Sequence, residues 1–218
     1  MMMDISEALR YLGAAGADEE TRRAVKQAAE ELEAALAPRY VYKVFDVQAA
    51  EDGMLLPACG LLLPGSMAKT MLQGCQRAAL VCCTLGAAFD RRLRMTQARD
   101  MAKAAIVNAC GSAYVEAGCG QAEKEIASRY PGLYLTDRFS PGYGDLPLRI
   151  QPDFILALDA GRRLGVTVTD SLLMLPAKTV TAVIGLSDSP QPARIRGCGL
   201  CALKARCVYR ERGTCCGV

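Results

Sequence analysis

At 218 residues, with 51% hydrophobic and 22% charged side chains, the chain carries enough apolar material for one sizeable packed domain. No stretch reaches the roughly 18–20 continuous apolar residues of a membrane helix, and Met1-Met2-Met3-Asp4 has neither the basic nor the apolar region of a secretory signal, so a cytoplasmic protein is expected. A net charge of +3 with 6% aromatics and no Trp gives little ground for nucleic-acid binding, and the absence of His excludes imidazole as base or metal ligand.

In chain order, Asp18-Glu19-Glu20 reads as an N-cap with an acidic first turn, and Val25, Ala28, Leu32 and Leu36 recur at helical spacing until Pro38. Tyr40 to Phe45 is rich in β-formers and predicts a strand. A loop with Gly53 and Pro57 leads through Leu61-Leu62-Leu63-Pro64 to a short helix capped by Ser66. Ala78 to Thr84 is apolar throughout, as in a buried strand that ends at Gly86. Thr96 to Tyr130 is the longest helical signal, with a small-residue face at Ala102, Ala105, Ala109 and Ala113 and an expected kink near Gly118. One further helix is expected from Pro152 to Gly165, followed by strands at Val166–Thr169 and Thr179–Ile184. Without regular βαβ alternation, this mixture predicts an α+β fold with a largely antiparallel sheet packed by helices. The expected division is a domain over 1–189 and a short cysteine-rich tail over 190–218.

Eleven cysteines, an odd number with no secretory signal, point to reduced thiols rather than a disulfide framework. Cys59, Cys75, Cys82, Cys83, Cys110 and Cys119 lie among apolar or small residues and read as small buried hydrophobes.

Asp137 to Pro147 contains two glycines flanking Tyr143, with Pro141 and Pro147 on either side. Such a loop exposes backbone donors and acceptors, and Arg138 at its head has the fork that grips a carboxylate. By pattern alone a tight turn with a surface arginine is slightly the better reading. Glu116 follows Ala113 and Ala109 at i+3 and i+7 in the small-residue helix, which places an acid near an apolar face or simply on the helix surface.

The Arg-x-x-Pro-Gly-Tyr-x-x-x-Pro pattern at 138–147 resembles the S-adenosylmethionine-binding loop of the reactivation domain of cobalamin-dependent methionine synthase. The resemblance continues in order on both sides, with Val115-Glu116-Ala117 upstream and Gly165 to Ser171, Leu175-Pro176 and a Thr-rich strand downstream. It implies a domain that binds S-adenosylmethionine and docks on the cobalamin-binding module of methionine synthase or another corrinoid protein. There it supports reductive methylation of inactive cob(II)alamin, with the electron coming from a donor. Under that resemblance Arg138 pairs with the methionine carboxylate and Glu116 with the polar or cationic groups of the ligand. Main-chain groups around Ser140, Gly142 and Tyr143 hold the adenosyl part. Two departures stand out: Asp145-Leu146-Pro147 replaces the family's Ala-Cys-Pro, and the tyrosine beyond the Thr-rich strand has no counterpart.

The tail has its own chemistry. Cys198, Cys201 and Cys207, with Cys215 or Cys216, form a Cys-x2-Cys-x5-Cys-x7-Cys pattern that can bring thiolates to one metal. Lys204, Arg206, Arg210 and Arg212 favour the deprotonated thiols this requires. An iron–sulfur cluster is expected ahead of zinc, because the implied reaction consumes an electron. Two other roles remain open from sequence, an iron–sulfur electron carrier and a non-catalytic chaperone of corrinoid proteins.

Overall fold

The computed structural model describes residues 2–14 and 16–192, with Ala205 and Glu211 beyond them. The first half comprises α1 (Ile5–Tyr11), α2 (Glu19–Ala35), β1 (Arg39–Asp46), β2 (Gln48–Ala50), β3 (Gly53–Leu56), β4 (Leu61–Pro64), α3 (Ser66–Met71), β5 (Arg77–Thr84) and α4 (Gly86–Gln97). The second comprises α5 (Met101–Arg129), β6 (Tyr134–Leu135), α6 (Gln151–Leu158), α7 (Ala160–Leu164), β7 (Thr167–Val168), β8 (Met174–Leu175) and β9 (Thr179–Ser187).

The centre is a four-stranded antiparallel sheet in the order β1-β5-β9-β6. Its middle strand β5 is buried on both faces, which is why its sequence is apolar throughout rather than alternating. Ala78, Leu80 and Cys82 face one layer, formed by the small β2-β3-β4 sheet, α3, α6 and α7. Ala79, Val81 and Cys83 face the other, where α5 lies across the sheet under α1 and α2. Leu32, Leu63 and Leu80 are fully enclosed in these layers, and each such side chain contributes about 2 kcal/mol by leaving water. The fold is therefore α+β with antiparallel sheets, as the sequence implies.

α2 starts at its expected cap, Asp18 accepting from Thr21 N at 2.8 Å, and buries Val25, Ala28, Ala29 and Leu32. Four local expectations are corrected. α5 is one continuous helix from Met101 to Arg129, without a break at Gly118, and Thr96 belongs to the preceding helix α4. The absence of a side chain at Gly118 serves packing: a Cβ there would stand 2.6 Å from both Cys83 Sγ and Pro38 Cβ. The expected loop before Leu61 is strand, since Gln48–Pro64 folds into the three-stranded meander. The helix expected from Pro152 to Gly165 is two, broken where Asp159 takes a left-handed conformation at φ 54°. Ser66 is the first residue of α3, not its cap, and the capping carboxylate comes from far along the chain. No helix among the described residues is long and apolar enough to cross a membrane.

Candidate functional site

After α5 the chain returns along β9. Tyr134 and Leu135 pair with Ser187 and Leu186, Thr136 N donates to Gly185 O at 3.0 Å, and Phe139 bridges Val183 through two hydrogen bonds of 2.7 and 3.1 Å. Phe139 is fully buried on the α6 side of the sheet. Strand alternation turns its neighbour Arg138 the other way, toward α5. There the guanidinium meets two carboxylates seven residues apart on the helix. Nη2 donates to Glu116 Oε2 at 2.9 Å, and Nη1 lies 3.3 Å from Glu123 Oε2.

The three side chains are only 15%, 27% and 21% exposed for Arg138, Glu116 and Glu123. Nη1 is itself enclosed and makes no hydrogen bond among the described residues. Arg138 thus bridges two acids in a partly desolvated place, where charges interact more strongly than in water. α1 packs along α5 beside this cluster. Burial and then the Glu116 charge push the Tyr11 phenol above its ordinary range, and the Arg10 guanidinium lies 4.4 Å from the Tyr11 ring centroid.

Beyond Phe139 the chain makes a compact turn. Tyr143 N donates to Ser140 O, Leu146 N to Tyr143 O and Gly142 N to Leu146 O, at 3.0, 3.0 and 2.7 Å. Gly142 sits at φ 99°, a conformation closed to most residues with a Cβ. Tyr143 at the apex is 50% exposed, whereas Leu146 is buried in the core. Asp145 then ties the turn to α3: its carboxylate accepts from Ser66 N, Ser66 Oγ and Met67 N at 2.6, 2.8 and 2.8 Å. These donors hold the Asp145 carboxyl down at about 2. Asp145 thus supplies the missing cap of α3 and anchors the turn that follows Arg138.

Of the residues singled out in sequence, Glu116 and Arg138 are in direct contact, and Ser140, Gly142 and Tyr143 follow in the exposed turn. Cys198, Cys201, Cys207 and Cys215 lie outside the described residues. Among the described residues no three metal-ligating side chains gather. Cys82, Cys83, Cys110 and Cys119 are buried, and Cys59 and Cys75 half-buried. Burial raises the Cys82 and Cys110 thiols to about 12 and about 11, and Cys119, hydrogen-bonded to Cys83 and buried, is likewise held protonated. These thiols behave as apolar packing groups.

Sequence reasoning missed Glu123 and Asp145. Glu123 follows Glu116 at i+7, two turns along the same helix face, which was a usable signal. Asp145 stood out only as a departure from a family pattern, since its partners are nearly eighty residues earlier in the chain.

No protein-family model matches the sequence, and no curated protein matches it. Among solved structures, the fold is similar to that of the crystal structure of the MetH reactivation domain bound to AdoHcy. The TM-score is 0.59 at 16% identity, over 90% of this chain and 74% of that one.

Proposed function

We propose that the protein binds S-adenosylmethionine beside Arg138 and docks on a corrinoid protein, such as the cobalamin-binding module of methionine synthase, to support reductive methylation of inactive cob(II)alamin. The observation that carries this reading is Arg138, enclosed and paired with Glu116 at the head of a Gly-Tyr-Gly turn, in a fold shared with a reactivation domain that was crystallised with AdoHcy.

The residues suit the ligand. Arg138 Nη1 is buried and makes no hydrogen bond among the described residues, its ion pair with Glu123 being 3.3 Å long, and such a donor can take a ligand carboxylate. Glu116 offers a carboxylate to the ligand ammonium, and the Ser140–Tyr143 backbone offers donors and acceptors for the adenosyl group. Carboxylates at this position, Glu116 and Glu123 beside Arg138, are of the sign that attracts a sulfonium, whose charge is positive. A separate donor supplies one electron to the partner's cob(II)alamin, which takes the methyl group as the S–CH3 bond of S-adenosylmethionine breaks and S-adenosylhomocysteine leaves. Within this chain Arg138 and Glu116 bind and orient, and Asp145 fixes the turn between them and α3. The tail cysteines Cys198, Cys201, Cys207 and Cys215 are proposed to hold an iron–sulfur cluster, with zinc as the alternative. Iron or zinc retained by anaerobically purified protein, and lost when these cysteines are changed to serine, is the expected result.

The test of the function is a reconstituted reaction. A corrinoid module in the cob(II)alamin state, S-adenosylmethionine and a low-potential reductant are combined anaerobically, and methylcobalamin formation is followed by absorbance. The expected result is formation that depends on this protein. Equal formation in its absence overturns the proposal.

A further inference from the structure

A concave feature lies away from Arg138, where α2, α4 and α5 meet. It encloses about 500 Å³, a size typical of small-molecule sites. α4 lines it with Ala88, Arg91, Arg92 and Met95, the turn that follows with Arg99, and α5 with Lys103 and Val107. Val107, the nearest of these to Glu116, precedes it by nine residues, roughly 13 Å along the helix at the usual rise.

The charges in this groove do not cancel. Arg92 and Lys103 share one carboxylate, that of Glu31, at 2.9 and 3.6 Å. The Asp100 carboxylate is engaged in capping α5 through Lys103 N at 2.9 Å. Arg91 and Arg99 line the same groove and have no ion pair among the described residues. Four cations against two anions thus surround a floor that includes Leu36, Val107 and Met95, the last 60% exposed. A concave site with an excess of one sign of charge over apolar walls draws counter-ions. Two exposed arginines without a carboxylate partner among the described residues can receive an anion, and the floor an apolar body attached to it. The chain's own C-terminal segment is a poor occupant by charge, since it carries Arg194, Arg196, Lys204, Arg206, Arg210 and Arg212 against Glu211.

We propose that the groove between α2, α4 and α5 is a second ligand site, for a small molecule that joins an anionic head (phosphate, sulfonate or carboxylate) to an apolar or aromatic body. Arg91 and Arg99 hold the head, and Met95, Leu36 and Val107 receive the body. The site is independent of the function proposed for Arg138.

Two probes of matched shape test it. Anilinonaphthalene sulfonate carries the anionic head, and N-phenylnaphthylamine has the same apolar body without it. Fluorescence titration of the full chain should show one saturable site for the sulfonate and at least roughly tenfold weaker binding of the neutral arene, as expected when a charged hydrogen bond is lost. The double variant Arg91→Ala/Arg99→Ala should weaken the sulfonate roughly tenfold or more and leave the neutral arene unchanged. Both side chains are exposed, so the urea midpoint of the variant should match the parent, which certifies that it folds. Met95→Asp should weaken both probes. Sulfonate binding that is as tight in the double variant, or a neutral arene that binds the parent as tightly as the sulfonate, overturns the proposal.

Discussion

The two segments that build the Arg138 site are held by different kinds of force. α5, which carries Glu116 and Glu123, is fixed by volume. Two of its three glycines are closely packed from outside, with the Phe89 ring against Gly111 and Cys83 and Pro38 against Gly118. The segment from Arg138 to Leu146 carries many polar bonds besides the buried Phe139 and Leu146: two hydrogen bonds to β9, two ion pairs to α5 and three hydrogen bonds to the α3 N-terminus. The difference teaches that the helix can be broken by adding atoms and the turn by removing charge. It also places the adaptable half of the site on the turn, since close-packed interfaces deform little.

The largest effect is expected at Gly118. Gly118→Val forces a side chain into the contact with Cys83 and Pro38 and should cost about 3 kcal/mol, the upper range for overpacking, read as a lower urea midpoint. Gly120, two residues on, meets nothing within 4 Å. Gly120→Ala should therefore stabilise the helix by about 0.5–1 kcal/mol. Equal responses at the two glycines would show that α5 is not held by the packing described.

Arg138→Ala attacks the other half. It leaves Glu116 and Glu123 partly buried without their shared cation, and should cost on the order of 2 kcal/mol of stability, within the range for charged hydrogen bonds and below that for fully buried pairs. Arg138→Lys should recover part of the stability and little ligand affinity, because an ammonium cannot span two acceptors in a planar fork.

The smallest effect concerns acid. The Asp145 carboxyl sits at about 2 in the folded protein, against about 3.9 in an unfolded chain. Because the folded value is depressed, its stabilisation is complete above about pH 4 and fades as pH falls toward 2. Urea midpoints between pH 5 and 2 should fall less steeply for Asp145→Ala than for the parent, with the two curves converging at the acid end. Parallel curves would remove Asp145 as the anchor of the turn.

Much of the architecture was legible because it follows hydrophobic periodicity. α2, β1, β5 and β9 stand within a few residues of where Val25–Leu36, Tyr40–Phe45, Ala78–Thr84 and Thr179–Ile184 place them. What escaped depends on tertiary context. α1 has seven residues, too few for a periodic signal, and α4 opens at Gly86, read from sequence as a stop. Gly53 and Pro57 look like loop markers, yet Gly53 is a paired residue in β3 and Pro57 sits in the β3–β4 turn. The glycines of α5 weaken a helix by propensity, and only the neighbouring Phe89, Cys83 and Pro38 explain two of them. Within the site, Glu116 and Arg138 were visible as residue types in an unusual pattern. Their contact with each other, and the part of Glu123, required the fold that lays α5 beside the strand leading to the turn.

The most direct measurement of the central claim is calorimetric titration of S-adenosylmethionine into the parent protein and into Arg138→Ala, each shown to be folded at the working temperature. Saturable binding at one site per chain is expected for the parent, weakened by about 1.5–3 kcal/mol in the variant, the range for a charged hydrogen bond. Affinity that is the same in both proteins, or no binding by the folded parent, would contradict the assignment of Arg138 and its turn as the S-adenosylmethionine site.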